Sequence, residues 1–208
     1  LKYTNLTNLE KLIHFIIIII SFSIILSENI DVQNLRLKNI EISYLNYSLP
    51  ISQLLDFQTI DRTKVSIIIN KSDYILTILY ENNPIKSYPV VFGFNPVDDK
   101  LKQGDGCTPE GVFKIHDLYP HQSWSKFIWL DYPTTESWVK HNRAKEEGTI
   151  NSNAGIGGEI GIHGVPTGMD HLIDNKTNWT LGCISLKNKD INELFSILQK
   201  ETKIIIVH

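Results

Sequence analysis

The spacing of hydrophobic residues changes twice along this chain. Residues 15–26, FIIIIISFSIIL, are apolar without a charge or a proline, and Lys2 and Lys11 precede them. A spanning helix needs roughly 20 apolar residues, so this run is short. A basic flank followed by a short apolar core has the shape of a secretory signal peptide. The cleavage site is poor, because Ile25 and Ser27 would occupy positions −3 and −1 of a cut after Ser27. An uncleaved, tilted membrane anchor and a buried core helix are the alternatives. The isoleucine run weighs against a soluble helix, since β-branching lowers helix propensity. Residues 1–27 are therefore expected to be a signal peptide or membrane anchor. No cysteine lies near the end of the run, so a lipid-modified N-terminus is not expected.

Residues 28–64 are polar, and Leu35, Leu37, Ile40, Ile42 and Leu45 keep no clean period. They read as a linker or lead-in, with one short helix around Ile51–Phe57. From Val65 the texture is that of strands. Val65–Asn70 is one run, NKSD is a turn, and YILTILY alternates Tyr74, Leu76, Ile78 and Tyr80 against Ile75, Thr77 and Leu79. ENNP is a second turn signal, and IKSYPVVFG is a third strand, which together predict a β-meander. GVFKIHDLY at 111–119 is a further strand. IGGEIGIHGVP at 156–166 and LGCISL at 181–186 read as late buried strands, with glycines where backbone must bend or approach closely. In NKDINELFSILQKETK, Ile191, Leu194, Phe195 and Leu198 keep helical spacing, with Asn188 as N-cap. KIIIVH closes as a strand. The expectation is a mainly β domain over 65–208 with a minor helical part.

Composition narrows the function classes. The 208 residues suit one globular domain with an appendage. A formal net charge of −3 gives no basic footprint for nucleic acid. Two cysteines are too few for a disulfide scaffold or a zinc cluster.

Cys183, in NWTLGCISL, is a buried thiol, half of a disulfide, or a nucleophile. A thiol becomes a nucleophile when a base and amide donors activate it. Of seven histidines, His163 in GIHGVP stands out: it ends an apolar strand, lies near Gly161 and Gly164, and precedes a proline turn. Residues 165–181 suffice for a loop that returns a second strand beside the first, where His163 and Cys183 would meet as base and nucleophile. Taken alone, a histidine near a strand end is more often structural, and a lone cysteine more often a buried hydrophobe.

The pattern IGIHGVP…WTLGCISLKNKDINEL resembles the L,D-transpeptidase catalytic domain, the YkuD-like family, whose signature is His-Gly followed by Ser/Thr-x-Gly-Cys. GDGCTPEGVFKI at 104–115 is similar to its Thr-Pro-x-Gly segment. LDYPTTESWVKHNRAKEEG at 130–148 resembles a stretch of one Gram-negative branch, which also uses Trp-Thr-x-Gly-Cys. The resemblance spans Val65 to His208 and implies an L,D-transpeptidase-like β-sandwich or barrel with one or two short helices.

The resemblance places the nucleophile on Cys183 and the general base on His163. It puts the close-approach glycine on Gly182, with the amides of Gly182 and Cys183 as oxyanion hole. Thr180 takes the hydroxyl position that fixes the loop, and Gly164 follows the base. The common second His is Leu181 here and the common Arg or Asn is Ser185, so a backbone carbonyl is expected to orient His163. His171, Asn142, Arg143 and Trp179 are candidates for substrate contact, with solvated loop positions as the plainer reading. A Cys107–Cys183 disulfide is an alternative that would block the nucleophile.

The implied chemistry is a Cys thioester formed at a peptidoglycan stem-peptide amide, then passed to an amine. That amine belongs to another stem or to the lysine of an outer-membrane lipoprotein. The alternative is hydrolysis of the same bond, as an L,D-carboxypeptidase or a lipoprotein-releasing amidase. No cofactor or metal is required. The implied location is the periplasm or cell envelope, with membrane contact only through the N-terminal segment.

Overall fold

The computed structural model describes residues 44–208. The expected signal or anchor segment, 1–27, and the first part of the lead-in lie outside the described residues.

Eight strands form one sheet in the order β3-β2-β1-β8-β4-β5-β6-β7. β1 (Val65–Asn70), β2 (Ile75–Tyr80) and β3 (Asn83–Pro89) are an antiparallel meander. In β1 burial alternates strictly, so Val65, Ile67 and Ile69 face the core. Glu81 and Asn82 both take left-handed backbone (φ 52° and 66°) in the tight β2–β3 turn. The last strand, β8 (Lys203–Val207), lies parallel to β1 and antiparallel to the start of β4 (Gly111–His121).

β4 curls the sheet. Its first residues pair with β8, and a bulge between Ile115 and Asp117 turns the rest to pair with β5 (Ser125–Leu130). β5 pairs with β6 (Gly161–His163), and β6 pairs in parallel with β7 (Ile184–Ser185). The chain after β3 closes the curl, because Val91 and Ser185 exchange two backbone hydrogen bonds of 3.0 and 2.9 Å.

Three helices complete the domain: α1 (Thr135–Glu146), α2 (His171–Asp174) and α3 (Asn188–Ile197). The third lays Ile191, Leu194 and Ile197 on the core with Ile67, Ile78, Phe113, Ile162 and Ile184. Its N-cap is Lys187 rather than the expected Asn188, which is already helical. Asn188 instead donates its backbone N–H to the Asp170 carboxylate (3.2 Å), which puts a negative charge at the helix start.

Helix α1 and the lead-in depart from the sequence reading, and β5 and α2 were not anticipated by it. Polar α1 has little apolar periodicity and packs through Ser137, His141 and Ala144, so nothing in its pattern announced a helix. The lead-in over 44–64 is laid on the domain rather than free of it. Ile51 and Leu55 enter the core, Tyr47 donates to buried Asp190 on α3 (2.8 Å), and Ser87 of β3 accepts the Leu45 N–H through its hydroxyl and donates its own N–H to the Leu45 carbonyl. Its expected helix is a single 3-10 turn, Ile51–Gln53.

Between β3 and β4 runs a long loop that reaches the site. The buried Lys71 ammonium holds it through Asp98 O (2.8 Å), Thr108 O (3.3 Å) and the Glu110 carboxylate (2.8 Å). Helix α1 holds its other side, with Lys140 donating to Glu110 O (2.7 Å) and the His141 ring donating through Nδ1 to Leu101 O (2.6 Å).

Candidate active site

The parallel pairing of β6 and β7 decides where the candidate residues point. Ile162 stands opposite Ile184 and His163 opposite Ser185. Side chains alternate along a strand, and Ile162 and Ile184 are both fully buried in the core. His163, Ser185 and, one pleat repeat earlier, Cys183 therefore share the other face. Residues 164–183 are the connection that makes this parallel return.

His163 is held on every side. Its Nδ1 lies 2.7 Å from the carbonyl oxygen of Gly164. A carbonyl only accepts, so Nδ1 carries the proton and Nε2 keeps the free lone pair. The same carbonyl accepts from the hydroxyl of fully buried Ser185 (3.3 Å). Gly164 permits this packing, since a Cβ there would fall 2.2 Å from Asn188 Oδ1. Trp124 stacks on the imidazole at 4.4 Å and 23°, Phe127 lies nearly parallel to it at 5.9 Å, and Trp179 meets it edge-on at 5.6 Å. Burial pulls the imidazole down to about 4, outweighing the raising effect of the Gly164 carbonyl.

The loop that carries Cys183 is fixed by one hydroxyl. Thr180 Oγ1 donates to the carbonyl of Cys183 (2.6 Å) and accepts the N–H of Gly182 (3.2 Å). Gly182 has φ 140°, a conformation open only to glycine, and a Cβ there would lie 2.7 Å from Cys107 O. The Cys183 thiol sits 3.5 Å from Glu159 O. Burial pushes it up to about 11, and the Glu159 carboxylate adds to that, while the Gly161 N–H and Lys100 act the other way. At rest both groups are neutral, with the thiol directed to the Glu159 carbonyl.

Two cavities meet at Cys183. One, of about 580 Å³, is walled by Lys100, Gln103, the 157–160 turn, Trp179 and Leu181, with His163 at its base. The other, of about 400 Å³, is an aromatic trough on the β4–β5 hairpin. Glu159 borders both. A neutral base, a thiol on the same face and an adjoining cleft are the parts of a cysteine acyl-transfer centre.

The family model described as the L,D-transpeptidase catalytic domain, YkuD, matches residues 64–206. The chain belongs to that family. Among solved structures, the fold is similar to the helical cell shape determining protein Pgp2 from Campylobacter jejuni. That likeness has a TM-score of 0.51 at 22% identity, over 68% of this chain and 46% of that one. It is also similar to Bd1075 from Bdellovibrio bacteriovorus, with a TM-score of 0.50 at 20% identity, over 69% of this chain and 48% of that one. The chain thus spans less than half the length of either. No curated protein matches the sequence.

Within this L,D-transpeptidase domain, the residues singled out from sequence separate into two groups. Cys183, His163, Thr180 and Trp179 come together at the larger cavity, with Gly164 and Gly182 supporting them from behind. Asn142 and Arg143 are exposed on α1, where Arg143 pairs with Glu147 (2.7 Å), and His171 is exposed at the start of α2; none of the three lines either cavity. Cys107 and Cys183 are both free thiols. Of the two amides expected for the oxyanion hole, the Gly182 N–H is already turned to Thr180.

Sequence reasoning missed Lys100, Glu159 and Ser185. Lys100 is buried, its ammonium held by Asp105 (2.8 Å) and Lys102 O (3.1 Å). No motif marks it, because it arrives on the long loop. Glu159 carried a signal that was available: a lone charge inside the apolar, glycine-rich run before the base.

Proposed function

We propose that this domain is an exported cysteine acyltransferase of peptidoglycan. It would attack a stem-peptide amide and pass the acyl group to an amine, which is L,D-transpeptidation. The observation that carries the reading is the shared face of Cys183 and a neutral, Nδ1-protonated His163 at the base of an open cavity.

The steps follow from that geometry. His163 Nε2 takes the thiol proton as Cys183 Sγ adds to the amide carbonyl. The oxyanion forms near the Cys183 N–H, which supplies the donor the Gly182 amide has given to Thr180. His163 then returns the proton to the leaving amine, and the C–N bond breaks to leave a thioester on Cys183. An incoming amine gives up a proton to His163 as it attacks, and the thiol is restored. Water in place of the amine makes the same centre a hydrolase.

The test is incubation with purified peptidoglycan fragments carrying tetrapeptide stems and an amine acceptor, read by mass spectrometry. A stem adduct on Cys183 and an amide-linked product are expected, and both disappear in Cys183→Ala. Release of tripeptide without any amine product would make the protein a hydrolase. Absence of an adduct under single-turnover conditions would overturn the cysteine mechanism.

A further inference from the structure

The two cavities that meet at Cys183 share Trp124 and Glu159 and differ in the rest of their lining. The larger one has the buried Lys100 ammonium in its wall. The smaller one is walled by the aromatic faces of Tyr119, Trp124, Phe127 and Trp129, and neither lysine nor arginine lines it. His121 adds a further flat face, stacked on Trp124 at 4.4 Å and 11°, with its Nδ1 accepting the Ser123 N–H (3.2 Å). Tyr119 and Phe127 stack at 5.6 Å. The one carboxylate bordering this trough is Glu159, which is exposed and has no ion-pair partner among the described residues.

The Glu159 backbone is left-handed, as it is at seven other non-glycine residues among those described. Its φ is 57°, in a turn between Gly158 and Ile160. Here the turn sets the Glu159 carbonyl on the nucleophile thiol (3.5 Å) and the residue itself where both cavities join. Aromatic faces around a carboxylate form a receptor for an ammonium group, because the ring quadrupole and the negative charge both attract a cation.

We propose that the aromatic trough is the binding site for the amine that resolves the thioester, and that Glu159 holds its ammonium group. This rests on the acyltransferase reading above. It assigns the acceptor to the trough and leaves the Lys100 side for the anionic donor. The step balances: the ammonium and the Cys183 thioester give an amide, the Cys183 thiol and one proton. The new C–N bond forms as the C–S bond breaks. One proton passes through His163 Nε2 to the sulfur, and the other leaves to solvent past Glu159.

Two measurements test this on the full chain. In the first, Cys183 is acylated with a tetrapeptide stem, and the thioester is resolved by Nα-acetyl-lysine or by hydroxylamine, which is uncharged at neutral pH. Because the Glu159 carboxylate raises the Cys183 thiol and borders the donor cavity too, the acylation rate of Glu159→Gln is measured separately and resolution is compared from the preformed thioester. The KM of Glu159→Gln for Nα-acetyl-lysine should rise roughly five- to tenfold, with more hydrolysis, while hydroxylamine resolves both proteins alike. An unchanged KM and partition in Glu159→Gln would overturn the proposal, as would an equal effect on hydroxylamine. Failure of the wild type to acylate would instead strike at the acyltransferase reading. In the second, Nα-acetyl-lysine is titrated into the Cys183→Ala chain while the indole N–H signals of Trp124 and Trp129 are followed by NMR. Shifts of these signals that Glu159→Gln abolishes are expected, and no shift at all would overturn the proposal without recourse to turnover.

Discussion

A neutral thiol and a neutral imidazole predict an unreactive resting enzyme, and the size of the effect follows from the structure. With the Cys183 thiol pushed up to about 11, the thiolate fraction at pH 7 is about 10⁻⁴, against roughly 3% for a free cysteine near 8.5. That is about 300-fold less thiolate. Nucleophilicity rises with basicity at a Brønsted slope of about 0.4–0.5, which returns roughly tenfold. Alkylation of Cys183 by iodoacetamide at pH 7 should therefore run about 30-fold slower than that of free cysteine. Its rate should climb nearly tenfold per pH unit from about pH 7 to about pH 10. The perturbation that separates mechanisms is His163→Ala. If the imidazole acts only during turnover, its removal leaves the alkylation profile close to wild type while stem-peptide turnover is lost. Denatured protein supplies the free-thiol reference, and Cys183→Ala supplies the correction for buried Cys107. A rate that is flat from about pH 5 to 8 and collapses in His163→Ala would refute the reasoning, because it would mean a preformed thiolate–imidazolium pair.

Two further outcomes follow from groups around the site. Asp190 is 2% exposed, and burial raises its carboxyl to about 6, against about 4 in an unfolded chain, despite the hydrogen bond from Tyr47. Because the folded value is the higher one, ionisation is easier in the unfolded chain, so stability falls as pH rises from about 4 to 6 and stays lower above that. Thermal melts of Asp190→Asn should show a gain over wild type that grows across this window towards about 3 kcal/mol, and a difference that is flat with pH would contradict it. Gly182→Ala places a methyl 2.7 Å from Cys107 O at φ 140°. It should cost at least roughly 1–3 kcal/mol in denaturant titration and displace the Thr180–Cys183 turn, abolishing acylation; wild-type stability with normal acylation would show that the turn is not so constrained.

What could be read from the sequence is what is encoded locally. The strict alternation in β1, the apolar face of α3 and the turn residues of the meander are short-range patterns, and the structure repeats them at almost the same positions. The candidate base and nucleophile were legible because each stands in a short motif with special backbone, Gly-x-His-Gly and Thr-x-Gly-Cys. Polar α1 was not legible, because its buried face is Ser137, His141 and Ala144, and its stability comes from tertiary contacts to the loop it braces. The strand expected over 156–166 is shorter in the structure for a related reason. Only Gly161–His163 pairs, since the preceding turn is pulled away to form the cavity wall.

The residues around the reacting atoms depend on closure of the sheet, which no local pattern states. Ser185 shows this best. Its hydroxyl donates to the carbonyl that fixes the His163 tautomer, and its backbone exchanges both hydrogen bonds with Val91, just after β3. The orientation of the base is thereby tied to the first half of the domain across 94 residues of sequence, the interval from 91 to 185. Lys100 and Glu159 reach Cys183 from different sides by equally indirect routes, one along a loop pinned by Lys71 and α1, the other through a left-handed turn. A chain that kept both motifs but lost the Val91–Ser185 closure would retain the nucleophile and the base as residues and lose them as a pair. For this fold, the His-Gly and Gly-Cys signatures mark where chemistry can occur, and the curl of the sheet through the β4 bulge supplies the geometry that lets it occur.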